Sequence, residues 1–236
     1  MREAGRVAGQ ILKDLETIIK PGIATIEIDR FVEQAVKKAG MRAAEKGYCG
    51  YPASICVSIN EEVVHGIPSK KRILKEGDIV SLDLVVENRG YMADAARTYG
   101  VGCISPEAQH LIDTVEEAFF KGMAFAKEGY RLSDISNAIQ STVESEGFSV
   151  IRDFVGHGIG NSMHEDPQIP NYGKPGKGPR LQRGMTLAIE PMICQGSYEV
   201  DVLLDDWTAV TVDGQLAAHY ENTVVITDGE PELLTL

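Results

Sequence analysis

The stretch that decides the fold is Ile79-Val80-Ser81-Leu82-Asp83-Leu84-Val85-Val86, which is followed by Asn88-Arg89-Gly90. Its β-branched and aliphatic residues predict a strand, and the Asn-Arg-Gly segment predicts a hairpin turn. The chain returns as a second strand over residues 91–101. Asp83 is the one carboxylate in the first run, and burying an unpaired charge costs several kcal/mol. The strand therefore needs a partner for Asp83.

The returning strand carries a second carboxylate, Asp94. Folding the hairpin about Arg89 predicts that Asp83 lies opposite Ala95, so a bulge at Gly90 is needed to bring both carboxylates to one face. Two such charges repel each other unless a cation lies between them. A metal site is one interpretation; an edge strand with Asp83 solvated and Asp94 in a turn is the other.

Outward from this hairpin, the chain alternates between groups of helices and groups of strands. Periodic apolar residues and capping signals predict four helices: residues 1–20, residues 25–39, one that starts at Ser105-Pro106, and one from Ser133 to about Gly147. Further strands are predicted at 186–190, 200–204, 207–212 and 223–226. This order indicates an α+β fold with mainly antiparallel pairing.

The two halves of the chain resemble each other around their acidic strands. Gly77 precedes Asp83 by six residues, and Gly184 precedes Glu190 by the same distance. Chance similarity over so short a window is one explanation. The other is a duplicated fold, with halves of about 1–104 and 105–236 in a single domain over 1–236, in which each half supplies an acidic strand residue to a shared centre.

The second half adds three candidate metal ligands. His157 lies within Gly156-His157-Gly158-Ile159-Gly160, where the glycines allow close approach of the backbone. Glu190 and Glu221 are carboxylates in apolar strand segments, like Asp83. Oxygen ligands with a single nitrogen suit Mn, Fe(II), Co or Zn, and four carboxylates are enough to bridge two ions.

The composition of the chain excludes some classes of binding partner. The 236 residues include 23 Lys+Arg and 35 Asp+Glu, which gives a net charge of −12. This negative charge argues against nucleic-acid binding and against docking on an anionic membrane. No apolar run approaches the length of a membrane span, and the first residues show no signal-peptide pattern, so a cytoplasmic protein is expected. Four scattered cysteines are expected to be free thiols.

Two further histidines lie next to turn residues. His65 precedes Gly66-Ile67-Pro68, and His164 precedes Glu165-Asp166-Pro167. Both are predicted to lie on loops near the surface. Each is either an ordinary exposed histidine or a donor of hydrogen bonds to a substrate carbonyl or a developing oxyanion beside the metal centre.

These features together resemble type I methionine aminopeptidases, over nearly the whole chain. The matching segments are Gly50-Tyr51-Pro52 through His65-Gly66-Ile67-Pro68, Gly77-Asp78 through Asp83, the gap to Asp94, residues 156–167, Ile189-Glu190-Pro191 and Glu221-Asn222-Thr223. The resemblance implies the pita-bread fold, in which two pseudo-symmetric halves surround a dinuclear metal site. It also implies removal of N-terminal methionine from peptides and nascent chains with a small second residue.

The resemblance also implies roles for individual residues. Asp83 would bind one divalent ion, His157 and Glu190 the other, and Asp94 and Glu221 would bridge both. His65 and His164 would contact the substrate, and Glu190 would carry the proton. The methionine pocket would be formed by Tyr48, Tyr51, Cys56, Met163 and Trp207, although each could equally be plain core. Position 163 is commonly aromatic in the family, so the resemblance does not define the shape of the pocket around a methionine at this position.

Three alternatives compete with this interpretation. A prolidase or aminopeptidase P normally carries a substantial extra N-terminal domain. Type II methionine aminopeptidases carry a long insertion between the last two glutamate ligands, whereas Glu221 follows Glu190 here by only 31 positions. A non-catalytic binding protein with this fold would be expected to lack metal ligands, and all five are present. We expect a monomer; ribosome proximity suits the activity, but no basic tail supports it.

Overall fold

The computed structural model describes residues 1–236, which fold into four α-helices and fifteen strands. The helices are α1 (Arg2–Glu16), α2 (Thr25–Lys38), α3 (Pro106–Met123) and α4 (Leu132–Ser145). The strands are β1 (Arg42–Ala43), β2 (Cys56–Ile59), β3 (Glu62–Val64), β4 (Ile79–Asn88), β5 (Tyr91–Gly100), β6 (Ser149–Val150), β7 (Gly156–Gly158), β8 (Glu165–Ile169), β9 (Thr186–Ile189), β10 (Met192–Cys194), β11 (Val200–Val202), β12 (Ala209–Thr211), β13 (Ala217–His219), β14 (Glu221–Val225) and β15 (Glu232–Leu233). This arrangement of helices and antiparallel strands confirms the predicted α+β class.

The helices begin and end near their predicted limits. Ser105 caps α3 as predicted, since its Oγ accepts a hydrogen bond from the backbone N–H of Ala108 at 3.1 Å. The prediction that the first helix reaches Lys20 was wrong: α1 ends at Glu16, and the Thr17 hydroxyl donates to the Asp14 carbonyl. None of the four helices has the length and apolarity that a membrane span requires.

The β4–β5 hairpin differs from the prediction in register. Its turn consists of two residues, Arg89 and Gly90, both with positive φ (54° and 82°), the backbone conformation that matches the twist of the flanking strands. Asp83 therefore pairs with Ala96, and Asp94 pairs with Val85. Directly opposed residues share a face and alternate along each strand, so both carboxylates lie on one face without a bulge.

A nine-stranded antiparallel sheet runs through both halves of the chain. Its order is β1-β4-β5-β14-β9-β7-β8, with β2 paired to β4 and β15 paired to β14. Helices α1 and α2 contribute to one apolar core with β4 and β5, and α3 and α4 contribute to a second core with β9 and β14. Strand β14 joins the halves because it pairs with β5 on one side and β9 on the other.

Candidate metal centre

The five predicted ligands come from five consecutive strands of the sheet. Asp83 lies on β4, Asp94 on β5, Glu221 on β14 and His157 on β7, while Glu190 directly follows β9. The strand pairing determines toward which face of the sheet these side chains point. Asp83 and Glu221 both pair with Ala96, two residues from Asp94, and His157 pairs with Ala188, two residues from Glu190. Asn222 pairs with Ile189, so Glu221 lies opposite Glu190, one position further along the two strands. All five side chains therefore share one face of the sheet.

The donor atoms of these side chains lie close to one another. His157 Nε2 is 3.3 Å from Glu190 Oε1 and 3.9 Å from Asp94 Oδ2. Asp94, His157 and Glu221 each place a donor atom within 4.8 Å of the other two. Oxygen and imidazole donors at such separations suit a divalent cation.

Three carboxylate oxygens in this cluster are buried and have no hydrogen-bond partner: Asp83 Oδ1, Asp94 Oδ1 and Glu221 Oε1. Burial and the neighbouring carboxylates raise the pKa of Asp94 and of Glu221 well above the ordinary range. Burial also raises the pKa of Glu190 well above its ordinary value. Buried carboxylates without partners are costly, and a bound cation removes that cost.

The imidazole of His157 is oriented with Nε2 toward the carboxylates. Its Nδ1 donates a hydrogen bond to the Gly158 carbonyl at 2.9 Å, which leaves the Nε2 lone pair facing the carboxylates. Burial lowers the pKa of His157 to about 4, so the imidazole is neutral near pH 7. A neutral imidazole with one nitrogen held by the backbone is the form that binds metals.

The glycines around His157 have a steric role, as predicted. A Cβ at Gly156 would lie 2.5 Å from the Ala188 carbonyl oxygen, and one at Gly158 would lie 2.2 Å from the Asp166 carbonyl oxygen. Only glycine lets β7 approach β8 and β9 this closely. The close approach places the imidazole beside Glu190.

Every residue predicted for the substrate or the metals lines one pocket of about 280 Å³. The aromatic and sulfur-containing residues of its wall are Tyr48, Cys49, Tyr51, Cys56, Phe154, Met163, Met192 and Trp207. Tyr51 and Trp207 meet edge to face with ring centroids 5.0 Å apart, and the Tyr51 hydroxyl donates to the Gly66 carbonyl at 2.9 Å. The wall therefore offers an apolar side-chain pocket next to the carboxylates.

The two loop histidines flank this pocket. His164 is exposed; its ring lies 4.4 Å from that of His157 between centroids, and its Nδ1 is 2.8 Å from the Tyr48 hydroxyl. His65 lies in a loop, as predicted, and is half-buried, since its ring packs against Phe154 and Trp207. Burial lowers the pKa of His65 to about 4. His65 also has a positive φ of 61°, which turns the chain directly after β3.

Two buried polar residues of the site were missed from the sequence. Glu45 lines the pocket with only 6% of its surface exposed, and its neighbours Ala44 and Lys46 give no strand signal. His219 is 1% exposed, and its unpartnered Nε2 lies 3.9 Å from Glu221 Oε2. Its position two residues before Glu221 was the only available signal.

Comparison with known proteins gives a consistent result. The sequence matches metallopeptidase family M24 over residues 1–228. It is 57% identical to a methionine aminopeptidase of Clostridium acetobutylicum, covering 100% of this chain and 94% of that protein. The structure superposes on a crystal structure of methionine aminopeptidase from Thermotoga maritima with a TM-score of 0.98 and 48% identity, covering 100% of this chain and 94% of the other.

A prolidase from Pyrococcus furiosus shares the fold with a TM-score of 0.77, but at 22% identity and with only 62% of its chain covered. The proline-directed alternative is therefore not favoured, whereas high identity extends over the full length of the methionine aminopeptidases. The pita-bread fold expected from the sequence is confirmed by both groups of structures. The chain belongs to metallopeptidase family M24 and, within it, to the methionine aminopeptidases.

Proposed function

We propose that this chain binds two divalent ions on the shared face of its sheet and there hydrolyses the peptide bond that follows an N-terminal methionine. One observation carries the proposal: donors from five consecutive strands converge, and three of their carboxylate oxygens are buried without a partner. The substrates would be peptides and nascent chains with a small second residue, as the resemblance implies. Co, Mn, Fe(II) and Zn all suit these donors.

The strand order supports a division of the donors between the two ions. Asp94 and Glu221 lie on the middle strands of the five, β5 and β14, and we propose that they would bridge the two ions. Asp83 lies on the outer side of Asp94, where it would hold the first ion. Glu190 and His157 lie on the other side of Glu221, where they would hold the second. The orphaned oxygens of Asp83, Asp94 and Glu221 fit this arrangement.

When bound, the two ions would activate a water for attack near neutral pH and polarise the scissile carbonyl. Glu190 would accept the proton of the attacking water and pass it to the leaving amine, a task that suits a carboxyl whose pKa burial has raised. His65 and His164, which both line the pocket, would donate hydrogen bonds to the carbonyl oxygen as negative charge develops there. Tyr48 would hold His164 in place through its 2.8 Å contact with Nδ1.

The pocket wall would bind the methionine side chain. Tyr51, Cys56 and Trp207 pack together as a small apolar cluster, and Met163 lines the same pocket with 5% of its surface exposed. A thioether is flexible and polarisable, so Met163 can adapt to the methionine of a substrate where an aromatic ring is common in the family.

We further propose a single catalytic domain over residues 1–236 with pseudo-repeated halves of about 1–104 and 105–236. The continuous sheet and the two helix-covered cores support this division. We also propose that the protein acts as a monomer on nascent chains in the cytoplasm, in the neighbourhood of the ribosome. The bacterial relatives named methionine aminopeptidase support a substrate with an N-terminal methionine.

The direct test is release of methionine from a Met-Ala-Ser peptide by metal-free protein reconstituted with Co, Mn, Fe(II) or Zn in turn. We expect release with at least one metal and none from the N-acetylated peptide, because the free amine is needed for binding at the centre. Cleavage of the acetylated peptide at the same rate, or no release with any of the metals, would contradict the proposal.

Metal removal should destabilise the fold most at alkaline pH. Burial raises the pKa of Asp83 to about 7 and that of Asp94, Glu190 and Glu221 well above the usual range. A carboxyl with a raised folded-state pKa stabilises the metal-free fold below its unfolded pKa of about 4, and this stability is lost as the pH rises toward the folded value. Divalent ions replace the lost protons.

Thermal melts with and without a chelator measure this effect. We expect the metal-dependent gain in Tm to be larger at about pH 8 than at about pH 6 by roughly 2–4 °C, the shift that about 1 kcal/mol produces in a chain of this size. An equal gain at both pH values would show that these carboxyls are not the metal ligands.

Replacing His65 with alanine should lower turnover of Met-Ala-Ser while metal content stays intact. Loss of one hydrogen-bond donor to a developing oxyanion costs roughly 100-fold or more in kcat. His110→Ala is the matched control, because His110 is an exposed histidine on α3 whose Nε2 lies 3.4 Å from Glu146 Oε2. Full turnover in the His65 variant would remove His65 from the proposed mechanism.

A further inference from the structure

A second group of metal-type donors lies beside the proposed centre, on the wall of the pocket. It consists of Glu45, Cys56 and Asp83, whose donor atoms all lie within 4.8 Å of one another. Cys56 pairs with Asp83 between β2 and β4, so the two side chains share a face. Glu45 is brought to them by β1, because the Ala44 N–H donates to the Val85 carbonyl at 2.8 Å.

The polar atoms of this group are only partly satisfied. The Cys56 thiol donates to Glu45 Oε1 with 3.7 Å between sulfur and oxygen. Glu45 Oε2 and Asp83 Oδ1 are buried and have no partner. Glu45 and Cys56 are 6% and 4% exposed. A buried carboxylate oxygen without a partner is an unsatisfied acceptor.

No lysine or arginine lies beside these donors, because the residues that line the pocket include neither. The unpartnered oxygens of Glu45 and Asp83 therefore have no cationic side chain to bind. A positively charged ligand would satisfy all three side chains at once.

We propose that Glu45, Cys56 and Asp83 form an additional site for a thiophilic divalent cation of the Zn²⁺ and Cd²⁺ class. The 3.7 Å between the sulfur and Glu45 Oε1 is close to the spacing of two ligands at about 2.3 Å and about 2.1 Å from one tetrahedral ion. Binding would transfer the thiol proton to solvent and form the metal–sulfur bond. Asp83 has two oxygens, so it could face this ion and the neighbouring centre together.

The consequence for activity rests on the proposed function. An ion at this site would lie in the wall of the methionine pocket, so it would inhibit rather than catalyse. Its existence can be tested without any activity measurement, because none of the five donors of the proposed dinuclear centre is a cysteine. Thiolate-to-cadmium absorption in the near ultraviolet therefore reports a cadmium–cysteine bond, which the carboxylates and imidazole of that centre cannot give.

The experiment is a titration of the manganese-loaded protein with Cd²⁺, following that absorption and the bound cadmium after dialysis. We expect the absorption to saturate at one equivalent and to be absent from Cys56→Ser. The near-isosteric Glu45→Gln should weaken binding at least about tenfold, the lower limit for loss of even an outer partner of a metal site. Cys49→Ser and Cys103→Ser are the thiol controls and should retain the absorption.

Three results would overturn the proposal: absorption that persists in Cys56→Ser, absorption that disappears in Cys49→Ser, or unchanged cadmium affinity in Glu45→Gln. If Cys56→Ser fails to fold, Glu45→Gln and the two thiol controls still decide the assignment. If the cadmium-free protein releases no methionine with any of the four metals, while cadmium binds as expected, the proposed function is refuted and this site still stands.

Discussion

Replacing Asp94 with alanine should abolish metal-dependent release of methionine from a Met-Ala peptide. Asp94 lies between Asp83 and Glu221 in the sheet, within reach of His157, so its loss would affect both ions of the proposed centre. A metal contributes several kcal/mol to catalysis, and each 1.4 kcal/mol is a factor of ten, so a loss of roughly 1,000-fold or more is expected. Bound metal, measured on the dialysed protein, should fall in parallel.

A matched control separates this effect from a general loss of carboxylate. Asp113 is an exposed aspartate on α3 that accepts a hydrogen bond from Gln109, and Asp113→Ala should keep both metal and activity. Because Asp94 is buried, circular dichroism and thermal melts must show that the variant is folded. A folded Asp94→Ala protein with normal turnover would mean that Asp94 does not bridge the ions.

The Glu190→Gln variant should retain an oxygen donor to the metal and lose the proton carrier. General acid–base catalysis contributes about 100-fold to 10,000-fold, so turnover of Met-Ala-Ser at saturating metal should fall within that range. The pocket and its lining would be unchanged, because Gln has nearly the same shape as Glu. Binding of free methionine should therefore persist.

Here the control is Glu117→Gln, an exposed glutamate on α3 that pairs with Lys121. This variant should behave like the unaltered protein. Turnover of Glu190→Gln within tenfold of the unaltered protein, at saturating metal, would assign the proton transfer to another group. A loss of turnover that is fully restored by more metal would assign Glu190 a ligand role alone.

Much of the proposed centre could be predicted from the sequence, because a carboxylate inside an apolar strand is visible as a costly feature that needs an explanation. Asp83, Glu190 and Glu221 all show this pattern, and the glycines around His157 indicate close backbone approach. The β4–β5 hairpin was also predictable, since the segment Asn88-Arg89-Gly90 follows a run of β-branched and aliphatic residues. The structure places the side chains of the four candidate ligands Asp83, His157, Glu190 and Glu221 on one face.

Local sequence patterns could not predict how the strands of the two halves pair with each other. That β14 lies between β5 and β9 depends on contacts between segments more than 100 residues apart in the chain, such as Glu221 with Ala96. The hairpin register also differed by one residue, because Arg89 adopts positive φ together with Gly90. Glu45 gave no signal, since its burial comes from the packing of β1 and β2 against β4 rather than from its neighbours in sequence.

The sequence by itself indicated Asp83, Asp94, His157, Glu190 and Glu221 as candidate ligands, because unpaired carboxylates in apolar segments have few stable solutions. Only the tertiary structure decided their order across the sheet, the common face and the presence of Glu45 beside Cys56. The physical reason is that strand pairing determines distances between residues far apart in the chain. Charge and hydrophobicity along the sequence determine only what each residue requires once it is buried.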